Sequence, residues 1–180
     1  MTELHDKNAF ARLALTPRQL DNLTQLGYLA MTPVQAASLP AALAGDDLIV
    51  QASTGSGKTA AFALALLARL DVSLNAIQAL VLCPTRELAD QVASEVRRLA
   101  RSEDNVKTIT LVGGAALQGQ RASLAHGAHI VVGTPGRVRD HLTRDTLDLS
   151  ALKTLVLDEA DRMLDIGFHD DIAAIAKHCP

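Results

Sequence analysis

Short apolar runs alternate with amphipathic stretches along most of this chain. The runs lie at 48–50, 78–83, 106–112, 129–132 and 155–157. Each is too short for a typical globular helix and is bounded on at least one side by glycine, proline or aspartate, which is typical of strands. Strands buried on both faces and separated by helices predict an α/β fold, with a mostly parallel sheet that carries helices on both faces.

The stretches between these runs carry helix start and stop signals. Thr16 and Thr32 each precede a proline, which pairs an N-cap residue with a proline at the first helical position. Gly27 and Gly45 are the expected ends of the two helices. A later helix, capped by Thr85, shows an apolar stripe at helical spacing: Leu88, Val92, Val96 and Leu99.

One stretch organises the sequence: Ala52-Ser53-Thr54-Gly55-Ser56-Gly57-Lys58-Thr59. It follows the apolar run 48–50 and precedes an almost wholly apolar segment over 60–70. Strand, glycine-rich turn and helix form the context of a phosphate-binding loop, whose backbone N–H groups and helix N-terminus favour anions. In such a loop Lys58 would contact the β- and γ-phosphates, and the Thr59 hydroxyl would bind Mg²⁺. We therefore predict that the chain binds a nucleoside triphosphate.

The loop departs from the usual pattern at one position, since Ala52 stands where a glycine normally opens the turn. The alternative interpretation is a glycine- and serine-rich turn with an exposed lysine. The apolar segments on both sides disfavour this alternative, because they match the strand and helix that a phosphate loop needs.

Polar clusters follow the other apolar runs as well. They are 84–87, Gly113-Gly114, 134–137 and 158–161. Because ligands of open parallel sheets bind beyond the carboxyl ends of the strands, we expect these clusters to line one edge of the sheet. Loops are polar in any case, and this explains each cluster singly but not their joint alignment.

The acidic cluster begins at Asp158, directly after the run 155–157. A phosphate-loop hydrolase keeps there the acid that holds Mg²⁺, directly or through water. Glu159 comes next and is the candidate general base that polarises the attacking water. A solvated acidic turn is the alternative.

Composition and charge narrow the class of protein. The chain has 180 residues, enough for one domain with a full core, and 48% are hydrophobic while 2% are aromatic. A net charge of −3 argues against a protein that coats nucleic acid broadly. Cys83 and Cys179 match no metal-binding spacing, and Cys83 is expected to be a buried thiol. The sequence shows no signal peptide or membrane span, so a cytoplasmic protein without membrane contact is expected.

These motifs together resemble those of DEAD-box RNA helicases, in particular the first RecA-like domain. The resemblance rests on five motifs in order: Ala52–Thr59, Pro-Thr-Arg-Glu-Leu (84–88), Gly-Gly (113–114), Thr-Pro-Gly-Arg (134–137) and Asp-Glu-Ala-Asp (158–161). Residues 27–35 are similar to the adenine-reading Q motif of that family. Residues 27–62 and 80–93 are most similar to bacterial members that act on large-subunit ribosomal RNA, so ribosomal RNA is one candidate substrate.

The resemblance implies ATP and Mg²⁺ as cofactors. Gln35 would hydrogen-bond the adenine edge, with Phe10 or Tyr28 near the ring and Thr32 in the same motif. Gln35 is equally well explained as a solvent-facing helix residue. Met31 replaces a common proline, and Leu29-Ala30 replaces a usual charged pair, which weakens the expected adenine preference.

The resemblance further implies three sets of site residues. The phosphate-binding set is Ser53, Thr54, Gly55, Ser56, Gly57, Lys58 and Thr59; the catalytic set is Glu159, Asp158 and Lys58; the metal ligands are Thr59 and Asp158.

The resemblance also implies contacts with the RNA backbone, which would give binding without sequence preference. Asp161 would couple this domain to a second one. The expected RNA-binding residues are Pro84, Thr85, Arg86, Gly114, Thr134, Pro135, Gly136 and Arg137.

The expected organisation is a single RecA-like domain over 1–180. Within it 1–15 would be loosely ordered, 16–45 would be the Q-motif region and 46–180 the phosphate-loop core. The family's Ser-Ala-Thr motif does not occur in the sequence, and a second RecA-like domain, the expected partner, would lie elsewhere in a monomeric parent protein. The expected function is ATP-dependent local unwinding of RNA duplexes, with little or no turnover by these residues alone. An ATP-gated RNA clamp and a small-molecule kinase are the alternatives.

Overall fold

A computed structural model describes residues 9–180, which divide into two compact units. The first unit takes in the residues up to Arg69 together with 95–104, and the second takes in 70–94 and 105–180. The prediction of loose order over 1–15 lies partly outside the described residues. Its described part contains a short 3-10 turn, Phe10–Arg12, in which Phe10 is buried.

The first unit is built from helices α1, Pro17–Gln25, α2, Pro33–Ala44, and α3, Lys58–Ala68. Thr16 and Thr32 form capping boxes. Each threonine hydroxyl accepts from the backbone N–H of the glutamine three residues later, and the side chain of that glutamine accepts from the threonine backbone N–H. Gly45 ends α2 with a φ of 96°. Helix α3 buries seven of its eleven residues, as its apolar sequence predicts.

The predicted strand at 48–50 is wrong. This segment has no regular secondary structure, and Leu48, Ile49 and Val50 are 43%, 103% and 41% exposed. The run has only three apolar residues between Asp47 and Gln51, and so short a run does not by itself specify a strand. In this structure the phosphate-loop sequence therefore has its turn and its helix, but no preceding strand.

The second unit contains a four-stranded parallel sheet in the order β2-β3-β1-β4. The strands are β1, Ala79–Leu82, β2, Thr108–Leu111, β3, Ile130–Gly133, and β4, Thr154–Leu157. Helices α5, Leu117–Ala125, α6, Pro135–Thr143, α7, Ala160–Ile166, and α8, His169–Ala176, belong to this unit. Helix α4, Arg86–Leu99, belongs to the second unit up to residue 94 and to the first from residue 95. The predicted parallel α/β class is thereby confirmed.

Strands β1 and β3 are buried at every position, which accounts for their continuous apolar sequences. Their side chains pack with residues from α6, α7 and α8, among them Val138, Met163 and Ile175. Cys83 is fully buried, as expected from its place at the end of β1. Within residues 9–180 no helix is long and apolar enough to cross a membrane.

Candidate functional site

The phosphate-loop sequence lies in the first unit and forms a tight turn at the start of α3. Gly55 and Gly57 have φ values of 79° and 94°, and Gly57 is the N-cap residue of the helix. The Lys58 ammonium donates to the carbonyl oxygens of Ala52 and Ser53, the latter at 2.9 Å. The Lys58 side chain is thus bonded to its own loop, and a phosphate would have to compete with these two carbonyl oxygens for the ammonium N–H groups.

Three observations bear on whether this loop fits a phosphate and a metal ion. The Ser56 hydroxyl is buried and has no hydrogen-bond partner among the described residues, so a phosphate oxygen could accept from it. Thr59 is half-buried in the first turn of α3. No group of three or more histidine, cysteine or acidic side chains within 9–180 could hold a metal ion, so Mg²⁺ here would depend on phosphate and water oxygens as well.

Gln35 connects the Q-motif region to the phosphate loop inside the first unit. The side chain is 1% exposed, and its Nε2 donates to the Gly57 carbonyl oxygen at 3.1 Å. Its Oε1 accepts from the Thr32 backbone N–H at 2.9 Å. A Cβ at position 57 would lie 2.6 Å from Gln35 Nε2, so this close approach requires glycine. The alternative of a solvent-facing Gln35 is therefore wrong, because the amide is buried against the loop.

Phe10 and Tyr28 contact each other edge to face in the first unit, with ring centroids 6.3 Å apart. Phe10 is 5% exposed, and the Tyr28 hydroxyl donates to Glu95 Oε1. Glu95 in turn pairs with Arg98 at 2.7 Å. Burial, and then the bond to Glu95, raise the pKa of Tyr28 to about 12. Both rings thus serve packing within the unit, and the structure by itself assigns neither to a nucleotide base.

In the second unit, the polar clusters do share one edge of the sheet. Leu82 is in register with Gly133 and Leu157, and Gly133 is in register with Leu111. All four strands therefore end at the same level. The clusters at 84–87, 113–114, 134–137 and 158–161 follow directly, as predicted from the parallel arrangement.

Arg86 and Gly114 lie against each other at this edge. Gly114 has a φ of 77°, and a Cβ built on it would lie 3.0 Å from Arg86 Nη1. The Arg86 side chain is 55% exposed, and its nearest acid, Asp90, is 4.0 Å away. Glycine at 114 thus leaves room for the guanidinium over the loop that follows β2.

Arg137 ties α6 to the same loop. Its Nη1 donates to the Ala115 carbonyl oxygen at 3.0 Å and to Gln120 Oε1 at 2.8 Å. His141 also contacts Gln120 Oε1, through Nε2 at 2.9 Å. Sequence reasoning assigned no role to Gln120 or His141. The spacing of Arg137 and His141 was an available signal, because residues four apart share a helix face.

The remaining residues expected at this edge shape the backbone. The Thr85 hydroxyl accepts from the Leu88 backbone N–H at 3.2 Å and caps α4, as predicted. Pro84 and Pro135 are buried, so their side chains act inside the turns. Thr134 is the N-cap residue of α6 without a side-chain cap bond, and Gly136 is exposed in the first turn.

The acidic cluster forms a sharp turn between β4 and α7. Asp158 is 8% exposed, and its backbone N–H donates to the Leu82 carbonyl oxygen at 2.9 Å. Glu159 has a φ of 51° and pairs with Arg162 at 3.1 Å. Burial, followed by the charges of Asp158 and Glu159, raises the pKa of the Cys83 thiol. Asp161 is exposed in the first turn of α7.

Comparisons with known proteins agree with this arrangement. Residues 32–180 match the DEAD/DEAH box helicase family. The chain is 62% identical over 173 residues to the ATP-dependent RNA helicase DbpA of Escherichia coli, covering 96% of this chain and 38% of that protein. It is 48% identical to the ATP-dependent RNA helicase DeaD of Mycobacterium tuberculosis, covering 95% of this chain and 30% of that protein.

A solved structure shows the same likeness. The crystal structure of a DEAD box protein from the hyperthermophile Methanococcus jannaschii matches with a TM-score of 0.91 and 41% identity. The match covers 96% of this chain and 47% of that one. The chain thus spans less than half the length of these relatives.

A parallel sheet with polar motifs at one edge, together with a phosphate-loop sequence, defines a RecA-like α/β domain. The chain belongs to the DEAD/DEAH box helicase family. The predicted resemblance to this family, and to DbpA-type members in particular, is confirmed.

Proposed function

We propose that the chain is the nucleotide-binding RecA-like domain of an ATP-dependent RNA helicase, in which ATP binding and hydrolysis drive local unwinding of RNA duplexes. The observation that carries the proposal is the alignment of four motif clusters at the in-register ends of the strands. Each cluster occurs in the order that the family requires, and the phosphate-loop sequence precedes them all.

In the proposed reaction, the loop residues 53–59 hold the phosphates through their backbone N–H groups. Lys58 would leave its loop carbonyls and stabilise charge on the β- and γ-phosphates. Thr59 and Asp158 offer hydroxyl and carboxylate oxygens, the ligands that Mg²⁺ prefers, and the ion would neutralise phosphate charge. Glu159 would accept the proton of the attacking water.

The adenine edge is proposed to meet Gln35. Its two internal bonds use one hydrogen of Nε2 and one lone pair of Oε1, and an amide has two of each. Adenine could therefore add to these bonds without breaking them. Thr32 holds the amide in place, and Phe10 and Tyr28 complete the motif's packing.

The RNA strand is proposed to cross the edge formed by Arg86, Gly114, Thr134 and Arg137. Two arginines and a small loop provide charge and backbone access without a broad basic surface, in keeping with the net charge of −3. Contacts of this kind fix the sugar–phosphate backbone and read no sequence. Asp161 is proposed to couple this domain to a second RecA-like domain of the same protein.

The test measures phosphate release and strand displacement by the full-length protein on a short RNA duplex. We expect RNA-stimulated release that disappears in Lys58→Ala, together with ATP-dependent displacement. Stimulated release without displacement would indicate the ATP-gated clamp instead. Release that does not respond to RNA would contradict the proposal and favour a small-molecule kinase.

A second arm uses residues 1–180 alone. We expect nucleotide binding with little turnover, because an arginine finger from a second domain typically contributes about 10³–10⁵ in rate. Robust RNA-stimulated turnover by these residues would overturn the proposed need for a second domain. A cytoplasmic location and a monomeric state stay predictions from the sequence.

A further inference from the structure

Two hydrogen bonds hold the Arg137 guanidinium in place, whereas the Arg86 side chain is largely exposed. The hydrogen bonds of Arg137 within residues 9–180, to Ala115 O at 3.0 Å and Gln120 Oε1 at 2.8 Å, use the same nitrogen, Nη1. A guanidinium has five N–H donors on three nitrogens. Anchoring one nitrogen fixes the plane of the group while the donors on Nε and Nη2 stay outside these two bonds.

Gln120 is fixed in turn from both ends of its amide. Its Nε2 donates to the Val112 carbonyl oxygen at 2.9 Å, and the side chain is 7% exposed. Its Oε1 faces two nitrogens, Arg137 Nη1 and His141 Nε2. Because the guanidinium can only donate, the oxygen must lie on that side, and this sets the orientation of the amide.

The same reasoning sets the proton on His141. Since Gln120 Oε1 only accepts, His141 Nε2 must carry a proton and donate to it at 2.9 Å. Its Nδ1 lies 2.8 Å from the Thr146 hydroxyl, whose single hydrogen can point to this nitrogen or to the His141 carbonyl oxygen at 3.0 Å. Burial, and then the charge of Arg137, lower the pKa of His141, which favours this neutral form. In this form Nδ1 accepts from Thr146 and Nε2 donates to Gln120, so the hydrogen bonds that link Thr146 to Arg137 are consistent with one tautomer.

A buried network of this kind is costly, because the side chains of Gln120 and His141 give up water where apolar side chains could pack. Its one charged member is Arg137, at the edge where RNA is proposed to lie. We propose that Gln120 and His141 are positioning residues that hold the Arg137 guanidinium ready for a phosphate of the RNA backbone. This inference rests on the proposed function, since it needs Arg137 to contact RNA. A ligand then finds the arginine already ordered, and the loss of side-chain freedom on binding is smaller.

A double-mutant cycle in the full-length protein tests the proposal. The measurement is the affinity for a fluorescent single-stranded oligouridine with a non-hydrolysable ATP analogue, and the nucleotide affinity serves as an internal reference. We expect Gln120→Met to weaken RNA binding about three- to tenfold, within the range set by ordering one arginine. In an Arg137→Ala background the same substitution should cause no further loss. Gln118→Met, at an exposed position of the same helix, is the matched control and should leave the affinity unchanged.

His141 supplies a second pair of variants if Gln120→Met does not fold. His141→Gln keeps an N–H donor near the Nε2 position and should retain most of the affinity, whereas His141→Leu should lose about as much as Gln120→Met. Equal losses in the wild-type and Arg137→Ala backgrounds, or equal losses from both His141 variants, would show a merely structural network and overturn the proposal.

The experiment distinguishes a wrong assignment of Arg137 to RNA from a wrong positioning role for Gln120 and His141. If Arg137→Ala itself leaves RNA affinity unchanged, the assignment of Arg137 to RNA is wrong, and the positioning role is overturned with it. If Arg137→Ala weakens binding but Gln120→Met and His141→Leu do not, only the positioning role is overturned.

Discussion

The two units hold their charged groups in opposite ways. In the first unit, Lys58 donates to carbonyls of the loop that is proposed to bind phosphate. In the second unit, Arg137 is held by a side-chain amide and by a neighbouring loop, through a single nitrogen. A ligand of the phosphate loop must replace bonds that the protein makes with itself. A ligand of the sheet edge can add to bonds that persist.

Arg86 shows what the sheet edge would be without such support. Its side chain is 55% exposed, and Asp90 at 4.0 Å is too far for a strong ion pair. Ordering a free arginine costs about 1.5–2 kcal/mol of side-chain entropy. We therefore expect Arg137 to contribute more to RNA affinity than Arg86, although both belong to motifs of the same edge.

The largest expected effect concerns the acidic turn of the second unit. In the full-length protein, Glu159→Gln should lower ATP turnover by about 10²–10⁴, because glutamine cannot accept the water's proton. ATP-analogue affinity should be unchanged, which equilibrium titration beside steady-state phosphate release will show. Asp165→Asn, at an exposed position of the next helix turn, is the control. Wild-type turnover in Glu159→Gln would place the general base elsewhere.

The next effect tests the internally bonded loop of the first unit. Lys58→Ala should weaken ADP and ATP binding by about 1.5–3 kcal/mol, or roughly ten- to more than a hundredfold. Part of the gross contact energy is already offset, since Lys58 loses its bonds to Ala52 and Ser53 on binding. Titration with a fluorescent ADP analogue measures the loss, with Lys177→Ala at an exposed position as the control. Unchanged affinity would remove the phosphate-loop assignment.

A smaller effect is expected at the Q motif. ADP should compete better than GDP, and Gln35→Ala should reduce this preference by about tenfold or less, the worth of one or two hydrogen bonds. Competition titrations with both nucleotides give the ratio. Gln25→Ala, on the exposed side of α1, is the matched control. Equal competition by GDP, unaltered in Gln35→Ala, would exclude the adenine pocket.

Gly114→Ala tests whether Arg86 needs the space over the loop that follows β2. Alanine at a φ of 77° is strained by about 1–2 kcal/mol, and its Cβ would meet Arg86 Nη1 at 3.0 Å. RNA affinity should fall a few-fold while nucleotide affinity is kept. Gly119→Ala is an informative control, because its Cβ meets open space in α5 and should slightly stabilise the helix. Equal RNA binding by Gly114→Ala and Gly119→Ala would show that Arg86 needs no room over this loop.

The smallest effect is a pH dependence in the first unit. The pKa of Tyr28 is raised to about 12 by burial and by Glu95, so the folded protein keeps a proton that the unfolded chain loses near pH 10. Stability from this group is complete below pH 10 and is lost as the pH rises toward 12. Since the chain has one tyrosine, its ultraviolet absorbance titration reports Tyr28 alone. Tyr28→Phe should show a shallower loss of stability over this interval, and an ordinary titration near pH 10 would refute the raised pKa.

Local signals predicted much of the fold. The threonine–proline pairs placed the starts of α1 and α2, and the apolar runs placed all four strands of the sheet to within about two residues. These predictions succeeded because capping and strand burial depend on residues near in sequence. The run 48–50 failed for the opposite reason, since three apolar residues become a strand only where a neighbouring strand pairs with them.

The candidate site likewise has features that the sequence pattern predicted and features that depend on contacts between distant residues. The alignment of motifs at one edge was predictable, because parallel strands place their carboxyl ends together. The network of Gln120 and His141 was not predicted, since it joins residues of two helices through a buried oxygen. The burial of Gln35 was not predicted either, because it depends on the approach of Gly57, which the fold of the loop determines. Sequence spacing shows which residues share an element, but not which amide atom faces which donor.

The backbone at Glu159 has a consequence for how this position can evolve. At a φ of 51° glutamate costs about 1–2 kcal/mol that glycine would not. Selection for folding alone should therefore enrich glycine or asparagine here, whereas selection for activity should retain the carboxylate. A library randomised at this one codon, sorted separately for soluble expression and for function, should diverge between the two selections. Position 159 would then be a place where the family trades stability for chemistry.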